Sequence, residues 1–272
     1  MASFRGVMAT ASEIAWVTVG DVSLETVERG RGPAILWLHG EEGLDPHAPF
    51  LDRLSAHGQM LAPSHPGFGH SPDADEIETV DDLSYLYLEL LAARGLRDVL
   101  VVGASLGGWI AAEMAVKCAH QLAGLVLVAP LGIKVGGRET RDIPDIFALH
   151  PDEVRRLQFH DPARAAVDAT TLSDDELTVI ARNREATAQY AWEPYFHNPK
   201  LRRRLHRIAV PTLLLWGADD RFVTADYYGA AYRAAIPGAR LETIAGAGHF
   251  PHLEQPDALV ERVARFRTER RM

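Results

Sequence analysis

Val99-Leu100-Val101-Val102-Gly103-Ala104-Ser105-Leu106-Gly107-Gly108-Trp109 is the stretch whose reading decides the fold. Its first four residues, apolar and mostly β-branched, read as a buried strand, and Ile110 to Lys117, rich in Ala with Glu and Met, reads as the helix that follows. Gly-x-Ser-x-Gly stands between them. A strand that turns sharply into a helix strains the residue at its apex, and glycines two before and two after remove the Cβ atoms that would clash. Ser105 is then held out at the tip, above a helix N-terminus. There the dipole and the Leu106 amide point toward the negative charge that forms during acyl transfer. The pentapeptide alone also fits a tight turn with an incidental serine; the flanking strand and helix favour a nucleophile.

On either side of this stretch the chain alternates strand and helix. Ala15-Trp16-Val17-Thr18-Val19 and Val22-Ser23-Leu24-Glu25-Thr26-Val27 flank Gly20-Asp21, a hairpin. Ala34 to Leu38 is apolar on both faces, Phe50 to Ala56 is a helix candidate, and Gln59 to Pro63 is a further short strand. His65 to Pro72 is turn chemistry, and Thr79 to Ala93 is a helix with acids early. After the serine helix, Leu122 to Ala129 is another buried strand. This order predicts an α/β fold, a mostly parallel sheet flanked by helices.

The alternation stops near Leu131. From there to about Leu205 the segments are helical, Asp152 to Phe159 and Ser173 to Tyr190 among them, and Ser173 with Glu176 forms a capping box. The expectation is a helical lid at 131–205 inserted between two parts of the core, 1–130 and 206–272. The aromatic cluster Tyr190, Trp192, Tyr195 and Phe196 fits a pocket lining or, in better agreement with general burial trends, core. Pro211 to Trp216 resumes the rhythm as a strand, followed by a helix from Asp226 to Ala235, a strand from Arg240 to Ile244 and a helix from Pro256 to Arg267.

Composition bounds the function. The 272 residues suffice for one large core, and 47% hydrophobic with 24% charged content is that of a globular chain. A net charge of -9 argues against a nucleic-acid partner. No apolar run approaches the ~20 residues that span a bilayer, so no membrane partner is expected. Met1 to Ile14 lack the apolar run of a secretory signal, from which a cytoplasmic address is expected. The single cysteine, Cys118, is expected as a small buried residue in the serine helix. Neither metal-ligand spacing nor a Gly-rich phosphate loop appears, so no metal and no cofactor is expected. The expected partner is a small-molecule substrate, and the expected assembly a monomer or homodimer.

A serine hydroxyl needs a base within hydrogen-bond reach and a carboxylate to orient that base. Position selects among the 12 histidines. His249 sits in Ala245-Gly246-Ala247-Gly248-His249-Phe250, directly after a buried strand and so at the same sheet edge as Ser105. Asp219 and Asp220 also follow a buried strand, one of them needed for no more than an Asx turn. The order is Ser, Asp, His.

These pieces together resemble the α/β-hydrolase superfamily over nearly the whole chain: His39-Gly40, Pro66-Gly67-Phe68-Gly69-His70-Ser71, Gly103-Ala104-Ser105-Leu106-Gly107-Gly108, Trp216-Gly217-Ala218-Asp219-Asp220-Arg221-Phe222-Val223 and Gly248-His249-Phe250-Pro251-His252-Leu253-Glu254-Gln255-Pro256. The resemblance implies that fold with an inserted lid. It also implies Asp220, three residues after Gly217, as the acid, and an oxyanion hole formed by the amides of Leu106 and Glu41. Leu106, Phe222, Val223 and Phe250 adjoin these residues and suggest an apolar pocket wall.

Two departures from the family pattern matter. Relatives commonly carry small or apolar residues after His-Gly, where this chain has Glu41 and Glu42. Either their carboxylates point to solvent, or an acid near the pocket selects a polar or cationic substrate. Ser64-His65 replaces an aspartate common before Pro-Gly-Phe-Gly, and His65 is read as a structural loop residue.

The expected reaction is carboxylester hydrolysis of small to medium substrates by a serine hydrolase, with Ser105 as nucleophile, His249 as base and Asp220 as its partner. The alternatives are C–C bond hydrolysis of ring-cleavage diketones and a non-catalytic ligand receptor on the same fold.

Overall fold

β-Branched and aliphatic runs that bury both faces force the central strands into the middle of a sheet, with helices above and below. The computed structural model describes residues 14–270 and 272. The stretch read for a secretory signal therefore lies, apart from Ile14, outside the described residues. Eight strands form one sheet: β1 (Ile14–Val19), β2 (Val22–Arg29), β3 (Ala34–Leu38), β4 (Gln59–Pro63), β5 (Val99–Ala104), β6 (Leu122–Val128), β7 (Thr212–Gly217) and β8 (Arg240–Ile244). Their spatial order is β1-β2-β4-β3-β5-β6-β7-β8. β2 pairs antiparallel with both β1 and β4, and all other neighbours run parallel.

Side chains on the central strands alternate between two cores. Leu36, Val101, Leu127 and Leu214 face one, and Ile35, Leu100, Val126 and Leu213 the other. Helices α1 (Pro49–Ser55) and α9 (Pro256–Arg270) bury Leu51, Leu54, Leu259 and Val263 in the second core. Helices α2 (Val80–Ala93) and α3 (Ser105–Lys117) pack in the first, where α2 starts on a Thr79–Asp82 capping box.

Two local expectations change. α3 begins at Ser105 itself rather than at Ile110, despite the poor helix propensity of Gly107 and Gly108. Tertiary approach decides it: a Cβ on Gly107 would lie 2.1 Å from Leu38 O and one on Gly108 2.8 Å from Pro130 Cβ. Cys118 lies just beyond the helix, half-buried, with Sγ 3.2 Å from His120 Nδ1, rather than inside it.

Between β6 and β7 the chain forms α4 (Pro151–Gln158), a 3-10 turn (Ala169–Thr171), α5 (Asp174–Ala191) and the single turn α6 (Leu201–Arg204). The Ser173–Glu176 capping box starts α5. This region lies against the loops at the carboxyl edge: Arg182 donates to Gly69 O and Ser71 O, Asn183 to Glu42 O, and the Tyr190 hydroxyl to Pro66 O. Tyr190 and Phe196 are buried, whereas Trp192 is exposed. Beyond β7, a π turn (Ala225–Gly229) leads into α7 (Ala230–Ala235), and the single turn α8 (Pro251–Glu254) precedes α9.

Gly107→Ala is expected to lower unfolding free energy by about 1–3 kcal/mol or more, since the carbonyls of β3 cannot yield. Gly137→Ala, where a Cβ meets nothing closer than Thr140 Oγ1 at 3.8 Å, is expected to stay within about 0.5 kcal/mol. Urea unfolding of both variants checks the pair.

Candidate active site

Ser105 occupies the turn between β5 and α3 with φ of +48°, a conformation rare for a residue with a side chain. The flanking glycines permit it, because a Cβ on Gly103 would lie 2.3 Å from Gly107 O. The Leu106 amide is among those at a helix start that have no intrahelical acceptor. From β7, Gly217 leads into Ala218-Asp219-Asp220; from β8, the Gly246–Gly248 loop leads to His249. These two loops touch backbone to backbone, and a Cβ on Gly217 would lie 1.9 Å from Gly248 O.

Ser105 Oγ lies 2.8 Å from His249 Nε2, and His249 Nδ1 lies 2.8 Å from Asp220 Oδ2. All three residues are buried. The other Asp220 oxygen accepts from the amides of Phe222 and Val223 at 2.9 and 3.0 Å, which fixes the carboxylate plane. Asp219 points elsewhere, toward His160 Nδ1 at 2.9 Å. The His249 backbone is itself pinned, its amide donating to Gln158 O of α4. Glu254 accepts from the amides of Gly248, His160 and Asp161 and so ties the histidine loop to the segment after α4. Burial alone would lower the His249 pKa, but the charge and hydrogen bond of Asp220, with Glu41 and Glu42 adding, raise it above the ordinary histidine value.

Phe222, Val223 and Phe250 occupy different places. Phe250 lines a cavity of about 300 Å³ together with Glu41, Glu42, Phe147, Gln158 and Phe159. The Phe222 ring meets the His249 ring edge-on at 4.9 Å, and Val223 accepts the Trp216 indole N–H at 2.7 Å. Both serve the Asp220 turn.

Glu41 and Glu42 do not point to solvent. Glu41, its side chain 7% exposed, places Oε2 2.5 Å from Ser105 Oγ, and its Oε1 accepts from Gln158 Nε2 at 2.9 Å. Glu42 Oε1 lies 3.0 Å from His252 Nε2 and accepts the Gly40 amide at 3.2 Å. The two acids are driven apart. Burial raises Glu41, and the adjacent Glu42 adds to this against the opposing charge of His249 and the hydrogen bonds of Ser105 and its own amide. Burial would also raise Glu42, but the hydrogen bond and charge of His252 outweigh it, with His39 adding, and the net shift is downward.

Behind them His39 and His65 stack at 3.7 Å, and burial pushes His39 down to about 4 and His65 well below its usual value. His65 Nδ1 meets Tyr87 OH at 2.5 Å and its amide donates to His39 Nε2. His65 therefore braces the loop that carries Gly40. Nothing in the sequence singled out Gln158, whereas Glu254 sits in the quoted Gly-His-Phe-Pro-His-Leu-Glu run.

Among the described residues no group of three or more His, Cys, Asp or Glu is placed to hold a metal ion, and no helix is long and apolar enough to cross a membrane.

A sequence model of the alpha/beta hydrolase family matches residues 35–262. The pimeloyl-[acyl-carrier protein] methyl ester esterase of Xanthomonas oryzae pv. oryzae (strain MAFF 311018) is 31% identical over 252 residues, spanning 87% of this chain and 96% of that esterase. Among solved structures, a serine hydrolase from the polyaromatic hydrocarbon-degrading bacterium Cycloclasticus zankles aligns with a TM-score of 0.78 at 20% identity, over 94% of this chain and 98% of its own. Carboxylesterase CesB from Bacillus subtilis aligns with a TM-score of 0.71 at 20% identity, over 94% and 92%. At these identities the two structures speak for the fold alone.

The geometry predicts that a fluorophosphonate probe modifies Ser105, and that Asp220→Asn slows labelling on the order of 10³-fold or more by freeing the imidazole from its orienting partner. Asp219→Asn, which loosens a partly exposed contact, is expected to change the rate no more than a few-fold. Labelling kinetics with peptide mapping compare the two.

Proposed function

The chain belongs to the alpha/beta hydrolase family, and we propose that it is a serine hydrolase that cleaves carboxylic esters of small to medium substrates. One observation carries this reading: the buried, unbroken hydrogen-bonded line from Ser105 Oγ through His249 to Asp220. His249 takes the Ser105 proton as Oγ attacks the ester carbonyl, and Asp220 stabilises the imidazolium. The carbonyl oxygen gathers negative charge near the amides of Leu106 and Glu41. Collapse expels the alcohol, which leaves with the proton from His249. Water then attacks the acyl-enzyme with His249 again as base.

Two further points support an ester over other acyl groups and bound its size. The relative at 31% identity is a methyl ester esterase, and the cavity of about 300 Å³ lined by Glu41, whose carboxyl meets Ser105, has Phe147, Phe159 and Phe250 in its wall. The raised His249 pKa means that the base stays protonated to higher pH than a free histidine. Activity therefore rises with pH through a value above the ordinary ~6.5.

Turnover of p-nitrophenyl esters of graded acyl length, wild type beside Ser105→Ala, tests the reading. Multiple turnovers that fall with acyl length, and a loss in kcat of about 10⁴–10⁶ in the variant, are expected. Turnover that survives Ser105→Ala contradicts it.

A further inference from the structure

The Ser105 hydroxyl owns one hydrogen but has two close polar neighbours, Glu41 Oε2 at 2.5 Å and His249 Nε2 at 2.8 Å. Asp220 holds a proton on His249 Nδ1, so Nε2 of the neutral imidazole is an acceptor. If Glu41 were ionised too, both neighbours would be acceptors, and one of the two short contacts would set lone pair against lone pair. One more proton resolves the conflict. Placed on Glu41 Oε2 it gives a continuous line, Glu41 O–H to Ser105 Oγ and Ser105 O–H to His249 Nε2. Glu41 Oε1 is already an acceptor for Gln158 Nε2, which leaves Oε2 as the oxygen that carries hydrogen. The other placement, an imidazolium donating to Ser105 and Ser105 donating to Glu41, sets two charges in a buried site where desolvation opposes both.

We propose that Glu41 is a catalytic hydrogen-bond donor of this site: its neutral carboxyl donates a hydrogen bond to Ser105 Oγ at rest and to the ester carbonyl oxygen during attack. This rests on the serine-hydrolase reading. As the Oγ–C bond forms, the hydroxyl proton passes to His249 Nε2 and the carbonyl π pair moves onto oxygen. That oxygen takes over the Glu41 O–H that Ser105 gives up, beside the amides of Leu106 and Glu41. When the pair returns, the bond to the alcohol oxygen breaks and the alcohol leaves with the proton from His249. Glu41 keeps its own proton throughout.

The surroundings fit a neutral carboxyl. Facing Glu41 are His249 from the loop before α8, Glu42 beside it, Tyr195 from the segment after α5, and Arg155 of α4 and Arg184 of α5 across the cavity. Arg155 is paired with Asp152, and Arg184 lies over the Phe147 ring. Glu42, held ionised by His252, keeps a second negative charge adjacent. Two neighbouring acids pushed in opposite directions is the pattern by which a site separates a donor from a charge. Because Glu41 and His249 share one proton, the two limbs of the pH profile belong to the pair. The acid limb removes the base. The alkaline limb removes the donor and draws the Ser105 hydrogen toward Glu41.

The test is kcat and KM for a p-nitrophenyl ester as a function of pH in wild type, Glu41→Gln and Glu41→Ala. A bell is expected for wild type. Glu41→Gln, an uncharged donor at every pH, should keep kcat within about tenfold and lose the alkaline limb, whereas Glu41→Ala should lose about 10²–10³ in kcat with KM little changed. A Glu41→Ala enzyme as active as wild type, a Glu41→Gln enzyme as impaired as Glu41→Ala, or an alkaline limb that survives Glu41→Gln overturns the assignment. Infrared difference spectra of resting wild type against Glu41→Gln provide a readout that needs no turnover. A protonated-carboxyl band at neutral pH in wild type alone is expected, and its absence overturns the proposal. Failure of the serine-hydrolase reading appears separately, as turnover that Ser105→Ala does not abolish.

Discussion

A side chain is held in the left-handed region at Ser105, at a cost of about 1–2 kcal/mol, and the centre of the molecule is arranged around that turn. The turn projects Oγ beyond the sheet edge while keeping the residue buried. It persists because the surroundings leave the backbone no other course. Gly103 and Gly107 pass within contact distance of one another, Gly107 and Gly108 let α3 lie against the ends of β3 and β6, and Leu131 donates its amide to Ser105 O. The parallel strands β5, β7 and β8 then deliver Ser105, Asp220 and His249 to one edge, Ser105 at the first residue of α3 and the other two in the loops that follow their strands.

Around this frame the electrostatics are unusual for their density of acid. The charge and hydrogen bond of Asp220, with the charge of Glu42 adding from a distance, hold His249 more basic than its burial alone would allow. Gln158 links the site to the helical region between β6 and β7: its side chain holds Glu41 and its carbonyl takes the His249 amide. Movement of α4 would therefore reach His249 and Glu41 together. His160 with Asp219 and His70 with Asp175 tie the same region to the core at two further points.

Much of this frame was legible in the chain itself, and for definite reasons. Strands buried on both faces announce themselves as unbroken apolar runs, which is why Ala34 to Leu38 coincides with β3. A loop directly after such a strand has a fixed address, so the placing of His249 and the two aspartates at one edge followed from order alone. Choosing Asp220 over Asp219 needed family spacing, because both are competent turn residues until the amides of Phe222 and Val223 are seen around one of them. The direction of the Glu41 side chain was not legible. It depends on Gln158, a residue 117 positions later on an element with no motif. The early start of α3 and the position of Cys118 outside it were hidden for a similar reason, since packing against β3 overrides the propensity of two glycines.

On the proposed mechanism Ser105 Oγ is the atom that becomes covalently bound. Rapid quenching of the protein with a slowly deacylating p-nitrophenyl ester, followed by intact-mass and peptide mass spectrometry, reads this directly. One acyl group per chain is expected, located on the peptide that contains Ser105 and formed at the rate of the p-nitrophenol burst. Steady turnover with no adduct on that peptide, or an adduct on another residue that forms at the burst rate, would contradict it.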